Sequence, residues 1–140
     1  MIHLAFTSKG YTYERLSHVP TMRAAFKRLL EAKCFVRGRV FQKWFNCNPK
    51  SLCLQYLWLV TDEQNQPVAV CLHRYCNPTF SIFVKPAHRR KGIATQLVRL
   101  SEGQGLSLRS KSRMAHRFAK AVSKKTGIPI SFVEKHELPD

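Results

Sequence analysis

Apolar and polar positions along this chain switch repeatedly between the two-residue alternation of strands and the three- and four-residue spacing of helices. Ile2 to Thr7 is a short apolar run ended by Ser8-Lys9-Gly10, which predicts an opening strand. After His18-Val19-Pro20, Thr21 is placed to cap a helix. Its Met22, Ala25, Phe26, Leu29 and Leu30 form one stripe, and Arg23, Lys27 and Arg28 fall off it. Leu52 to Thr61 and Pro67 to Tyr75 read as strands joined by a polar hairpin loop, Asp62 to Gln66. Asn77-Pro78 breaks the chain, and Thr79 to Val84 supplies another strand that runs into a basic turn and then the helical stripe Ile93, Ala94, Leu97, Val98 and Leu100. Leu106-Ser107-Leu108 predicts a further short strand and Ser112 to Lys125 a helix ended by Gly127 and Pro129. Ile130 to Val133 is then the closing strand. The pattern is an α/β (α+β) alternation without repeats or linker-like tracts, so residues 1–140 are expected to form a single domain.

Length and composition narrow the class. With 140 residues and 44% hydrophobic content, the chain is long enough for one core and short for two. No stretch approaches the roughly 18 apolar residues of a membrane span, and the N-terminus lacks a signal-peptide apolar core. The five cysteines are odd in number, irregularly spaced and free of any CxxC pair. They predict neither a disulfide scaffold nor a metal site, and fit a reducing, cytoplasmic location. Cys53 and Cys71 fall in strand-like runs, where they read as small buried hydrophobes.

Charge changes the picture more. Lys and Arg number 24 against 8 Asp and Glu, a formal +16. Such a field attracts polyanions, either nucleic acid or an acidic protein surface. Between Val36 and Lys50, basic residues interleave with Phe41, Trp44 and Phe45. That mixture suits stacking on a single-stranded nucleic acid, or else aromatic core anchors beneath a solvated charged face.

The chemistry concentrates in the turn before the Ile93 helix. A helix N-terminus exposes unpaired N–H groups and partial positive charge, so a turn feeding one after a strand is a natural phosphate seat. Gly92 lets the backbone approach an anion, Ala94 is small, and Arg89, Arg90 and Lys91 add full charges. The run from Val84 to Val98 resembles the coenzyme-A-binding motif of GCN5-related N-acetyltransferases (GNAT), Gln/Arg-x-x-Gly-x-Gly/Ala between strand and helix, with Arg89, Gly92 and Ala94 at its three fixed positions. The hairpin at Gln66-Pro67-Val68-Ala69 and the helix ending in Lys125-Thr126-Gly127-Ile128 are similar to the same family, so the likeness covers about residues 52 to 133. The resemblance implies a mixed, mostly antiparallel sheet flanked by helices, with acetyl-CoA as cofactor. It implies that the amides of Arg90, Lys91, Gly92, Ile93, Ala94 and Thr95 hold the pyrophosphate, and that Phe83 and Val84 hydrogen-bond the pantetheine arm like an added strand.

Acetyl transfer needs a neutral amine, a polarised thioester and a proton for the departing thiolate. In the family a tyrosine four residues before the glycine ending the last helix often supplies that proton, and the equivalent position here is Ser123. His116 on the same segment and His73 on a strand are the titratable candidates, and Asp62 and Glu63 in the hairpin loop are further carboxylates. Two functions stay open on these residues. One is an N-acetyltransferase acting on a primary amine associated with a polyanion, such as aminoacyl-tRNA or a nucleic-acid-bound or acidic protein. The other is a catalytically silent fold that binds nucleic acid or a protein through its basic surface.

Overall fold

The computed structural model describes residues 4–34, 54–74, 80–100, 107–108, 113–127 and 131–132. In chain order they form β1 (Leu4–Ser8), β2 (Tyr11–Leu16), α1 (Val19–Glu31), β3 (Leu54–Thr61), β4 (Pro67–Arg74) and β5 (Phe80–Val84). A 3-10 turn (Pro86–His88), α2 (Ile93–Leu100), β6 (Ser107–Leu108), α3 (Arg113–Thr126) and β7 (Ser131–Phe132) follow. The strands make one sheet in the order β1 to β7, antiparallel as far as β5 and parallel from β5 through β7. The expected mostly antiparallel sheet flanked by helices is therefore what forms. The basic-aromatic stretch from Val36 to Lys50, and Cys53, lie outside the described residues.

Two local readings change. The Ser8-Lys9-Gly10 stop is a hairpin: Lys9 and Gly10 both take positive φ, 52° and 84°, and Ser8 pairs with Tyr11 across them. A two-residue turn with both φ positive matches the twist of its strands, so the chain reverses into β2. The helix after His18 begins at Val19, not after Thr21. His18 is the N-cap, Pro20 sits in the first turn where its missing N–H is harmless, and the Thr21 hydroxyl donates back to the His18 carbonyl at 2.7 Å.

Period-two alternation divides the sheet into faces. On one, α1 buries Met22, Ala25, Phe26 and Leu29 against Leu57, Leu59, Val70 and Leu72. On the other, Ile93, Leu97 and Val98 of α2 and Val122 of α3 cover Tyr13, Trp58, Val60 and Cys71. Cys71 is buried, as its strand context predicted. Burial, against a smaller opposing pull from Lys85, pushes the Cys34 thiol up to about 12, so it is an inert apolar filler. At the β3–β4 hairpin, Asp62 Oδ1 accepts from the amides of Gln64 and Gln66, both at 2.9 Å. That makes Asp62 a turn-forming carboxylate. Arg28 donates to the Asn65 carbonyl at 2.8 Å and ties α1 to this hairpin.

His73 lies at the opposite end of β4, paired in register with Phe80. It is 3% exposed, its ring stacks on Tyr56 at 4.5 Å, and its Nε2 is 3.5 Å from Cys71 Sγ. Burial pushes it down from 6.5 to about 4. The unfolded chain therefore takes up this proton first as pH falls. The stability His73 confers as a neutral ring is complete above pH 6.5 and is lost toward pH 4, at up to roughly 1.4 kcal/mol per pH unit. Denaturant unfolding between pH 7.5 and 4.5 should show that slope, and His73→Gln, which cannot titrate, should flatten it.

Candidate active site

The hydrogen-bond phase of β5 decides which of its groups a ligand can reach. Lys85 N–H donates to Val68 O at 2.9 Å, so Val84 and Ala69 are a non-hydrogen-bonded pair, and Phe83 exchanges its N–H and C=O with Val70. Phe83, expected from the resemblance to bond a ligand arm, therefore has its polar backbone committed to β4. The alternation turns the N–H and C=O of Ile82 and Val84 to the other edge. On that edge β6 pairs with β5 at Phe80 and Leu108, the one pair among the described residues, and the Val84 carbonyl takes a side chain, so among the described residues the groups of Ile82 and the Val84 N–H are left open.

From that open end the chain enters the basic turn. His88 N–H returns to Lys85 O at 2.9 Å and Arg89 N–H to Pro86 O at 3.3 Å. Arg89 also donates its Nε to Val84 O at 3.0 Å. This guanidinium, expected at the phosphate rim, is folded back to pin the loop to the strand. His88 Nδ1 meets the Tyr11 hydroxyl at 2.9 Å, with the rings edge to face, 5.7 Å between centroids. Two side-chain bonds thus fix the segment before the seat, one to β5 and one to β2.

Arg90 and Gly92 both take left-handed backbone, φ 63° and 86°, bracketing Lys91. Successive N–H groups in such a turn converge on one side. The first bond of α2 is Gln96 N–H to Gly92 O at 3.0 Å, so the amides from Gly92 through Thr95 have no acceptor within the helix. Of Arg90 to Thr95, the residues expected to hold a diphosphate, Gly92 to Thr95 thus present a row of donors at the helix start, and the left-handed Arg90 and Gly92 bend the chain into it. A Cβ built on Gly92 would stand 3.9 Å from Lys9 Nζ, so the β1–β2 turn brings a further ammonium to the seat. Beside the seat, a cavity of about 280 Å³ lies between α2, the β1–β2 turn and the end of α3. Lys9, Tyr11, Lys91, Thr95, Arg99 and Lys125 are among the residues that line it. Burial, then the neighbouring Tyr11, push Tyr13 in its floor up to about 12, so it stays a neutral phenol.

Two larger hollows do not touch α2. One, about 360 Å³, lies between β2 and α1 beside Glu14, His18 and Arg28. The other, about 440 Å³, lies at the hairpin tips beside Thr12, Asp62 and Glu63. Both are lined by carboxylates, Glu14 in the first and Asp62 and Glu63 in the second, whereas the cavity beside α2 is lined by cations and no carboxylate, so the anion chemistry belongs at α2.

Neither Ser123 nor His73 is among the residues lining the cavity beside the donor strip. Ser123 is half-buried on α3, where its carbonyl accepts the Gly127 amide at 2.8 Å, and Gly127 takes the left-handed conformation, φ 75°, of a helix stop. His116 belongs to α3, but its side chain lies outside the described residues. His73 is sealed under Tyr56 and neutral across the physiological range. Sequence reasoning missed Tyr11, Lys9 and Ile82. The Lys9-Gly10 turn ahead of Tyr11-Thr12-Tyr13 was the available signal for the hairpin that delivers the first two.

Among solved structures the fold is similar to the xEco2 acetyltransferase domain bound to a CoA conjugate, with a TM-score of 0.55 at 12% identity over 92% of this chain and 95% of that one. The aminoglycoside 6'-N-acetyltransferase AAC(6')-Ih from Acinetobacter baumannii superposes with a TM-score of 0.55 at 18% identity, covering 81% and 89%. Its relative AAC(6')-Iy in complex with CoA gives 0.53 at 15% identity, covering 84% and 90%. No curated protein sequence matches the chain significantly. The family model for the acetyltransferase (GNAT) domain matches residues 54–128, more than half of the chain and the whole span from β3 to the end of α3. The chain belongs to the GNAT family of acetyl-CoA-dependent N-acetyltransferases.

Proposed function

We propose that this chain transfers the acetyl group of acetyl-CoA to a primary amine carried by a polyanion-associated acceptor, such as an aminoacyl-tRNA or a nucleic-acid-bound or acidic protein. The observation that carries the coenzyme half is the join between the open edge of β5 and the free amides of α2. The diphosphate sits on the amides from Arg90 to Thr95 with Lys9 and Lys91 flanking it. The pantetheine arm runs as an added strand along Ile82 and Val84, which holds the thioester against the sheet edge. Coenzyme A supplies the acyl thioester, and the chain supplies alignment, anion stabilisation and exclusion of water.

The acceptor half rests on charge. Two of the similar folds are aminoglycoside acetyltransferases, whose names describe polycationic substrates. A surface at +16 repels such a molecule and draws in a polyanion. Ser123 stands four residues before Gly127, where the resembling family often has its proton-donating tyrosine, and we assign it the return of a proton to the thiolate, directly or through water. His73 is a poor base because its neutral form is strongly favoured.

Four outcomes test this reading. Acetyl-CoA should raise the melting temperature of the protein. Gly92→Glu, a carboxylate at the seat, should abolish that shift, whereas Gly92→Ala, whose Cβ meets only Lys9 at 3.9 Å, should keep most of it despite left-handed strain. Tyr11→Phe, which deletes the hydroxyl bonded to His88, should raise the KM for acetyl-CoA roughly three- to tenfold, the equivalent of one hydrogen bond. Steady-state kinetics should show kcat unchanged. Ser123→Ala should lower kcat about tenfold or more with coenzyme affinity intact, and Ser123→Tyr should restore activity. Incubation with labelled acetyl-CoA and either total aminoacyl-tRNA or an aminoglycoside decides the acceptor class. Label in the aminoglycoside alone would overturn the polyanion reading.

A further inference from the structure

The outward face of α3 carries charge that neither the fold nor the coenzyme seat uses. Val122 is the buried side of this helix. At about 100° per residue, Arg117, Lys120 and Lys124 lie on the opposite side, and all three are exposed. From Arg117 to Lys124 the stripe runs about 10 Å along the helix axis, at about 1.5 Å per residue. Lys125, one step round from Lys124, lines the cavity beside the seat with Arg99, Lys91 and Lys9. Cations therefore stand both on the outer face of α3 and in the cavity that leads to the N-terminus of α2.

Carboxylates are distributed in the opposite sense. From residue 80 to 127 the chain has one acid, Glu102, which lies outside the described residues, and this stretch holds half of its 24 Lys and Arg. The described acids, Glu14, Glu31, Asp62 and Glu63, stand on β2, at the end of α1 and in the β3–β4 loop, while Glu134, Glu137 and Asp140, like Glu102, lie outside the described residues. A helix with no acid of its own can form no ion pair within itself, and no described carboxylate stands on the α2 or α3 helices, so among the described residues its ammonium and guanidinium groups are available to an outside partner. Their spacing also fits one. At about 3.4 Å of axial rise per nucleotide, 10 Å along the axis of a stacked strand spans some three nucleotides, one for each cation.

We infer that Arg117, Lys120 and Lys124 of α3 form a docking surface for the phosphate backbone of a nucleic-acid strand, which the groove at Lys125 and Arg99 directs toward the coenzyme seat. This deepens the acceptor reading above and rests on it only for the identity of the cargo, because the surface is separate from the donor strip that holds the coenzyme. Backbone contacts of this kind give affinity and position without reading sequence.

The test is fluorescence anisotropy with a labelled single-stranded 20-nucleotide RNA across a salt series. Three proteins are compared: the wild-type chain, the triple change Arg117→Gln, Lys120→Gln and Lys124→Gln, and an equal-charge control on the other face of the sheet, Arg23→Gln, Lys27→Gln and Lys33→Gln. The α3 variant should lower the slope of log K against log salt by about 2, at about 0.7 for each phosphate that is no longer neutralised, and the control by well under 1. Melting shifts with acetyl-CoA should be the same in all three, which separates failure of the docking surface from failure of the coenzyme site. Equal reductions in both variants would reduce the effect to net charge and overturn the proposal. So would unlabelled polyglutamate displacing the RNA as effectively, per charge, as unlabelled RNA does. Should the triple variant fail to fold by circular dichroism, Arg117→Gln and Lys124→Gln alone, each lowering the slope by about 0.7, decide it.

Discussion

The site depends on a strand that is hydrogen-bonded along one edge and open at the end of the other. Because β5 pairs with β4 through Phe83, the groups of Ile82 and Val84 must face away, and among the described residues only β6 near Phe80 and the Arg89 side chain at the Val84 carbonyl meet that side. A one-residue slip would turn Phe83 outward and withdraw the Val84 carbonyl from Arg89. The bulge that shifts register between β3 and β4 at Val60 and Thr61 lies at the same end of the sheet, yet the β4–β5 register from Ala69 to His73 is unbroken. The phase that exposes Ile82 and Val84 is thus held by a full run of ladder bonds and by apolar side chains on both faces.

Beyond the strand, the loop has to keep a conformation it would not choose alone. A left-handed Arg90 costs roughly 1–2 kcal/mol, and the cationic side chains gathered around the free amides add repulsion. Each of the two tethers, Arg89 to Val84 and His88 to Tyr11, returns on the order of 1 kcal/mol. These terms nearly cancel, which leaves the loop held in shape yet stabilised further by any anion that neutralises its charges. That is the sense in which binding energy of a diphosphate can align the rest of a coenzyme: the seat is already formed, and little ordering remains to be done when the ligand arrives.

How much of this is legible in the sequence follows from the range of each interaction. The strand, turn and helix around Gly92 are readable because they rest on local rules, namely alternation, a left-handed glycine and a helical stripe. The same holds for the Asp62 hairpin and the Gly127 stop. β2 escapes the pattern because Lys9-Gly10 looks like the end of a strand, whereas its two positive φ values make it a reversal. No local rule connects Tyr11 and Lys9 to the site, since Tyr11 meets His88 across 77 positions. Phe83 stands in for Ile82 in the sequence reading because sequence sets the period of a strand but not the phase in which its neighbour pairs. The misplaced cap at Thr21 has a smaller cause: Pro20 fits a first helical turn, so the helix starts before it.

The two faces of the sheet end up electrically unlike. On the α1 side, Glu14 and Glu31 stand among Arg23, Lys27 and Arg28, and Arg28 is drawn to the Asn65 carbonyl, so positive charge there is diluted or engaged. On the α2–α3 side the described residues hold cations without carboxylates, together with the partial charge of a helix N-terminus aimed at the seat. Unpaired like charges at this density oppose folding, and the protein carries them where they can be neutralised from outside. A fold serving a cationic acceptor would gain stability and affinity from carboxylates at that face, and the described residues place their carboxylates elsewhere. Among the described residues the distribution supports the proposed reading in which both partners are anions, the coenzyme at the α2 amides and a phosphate-bearing acceptor along α3. In that reading the two anions would be held at once because each would neutralise different cations, the coenzyme those at the seat and the acceptor those on the outer face of α3.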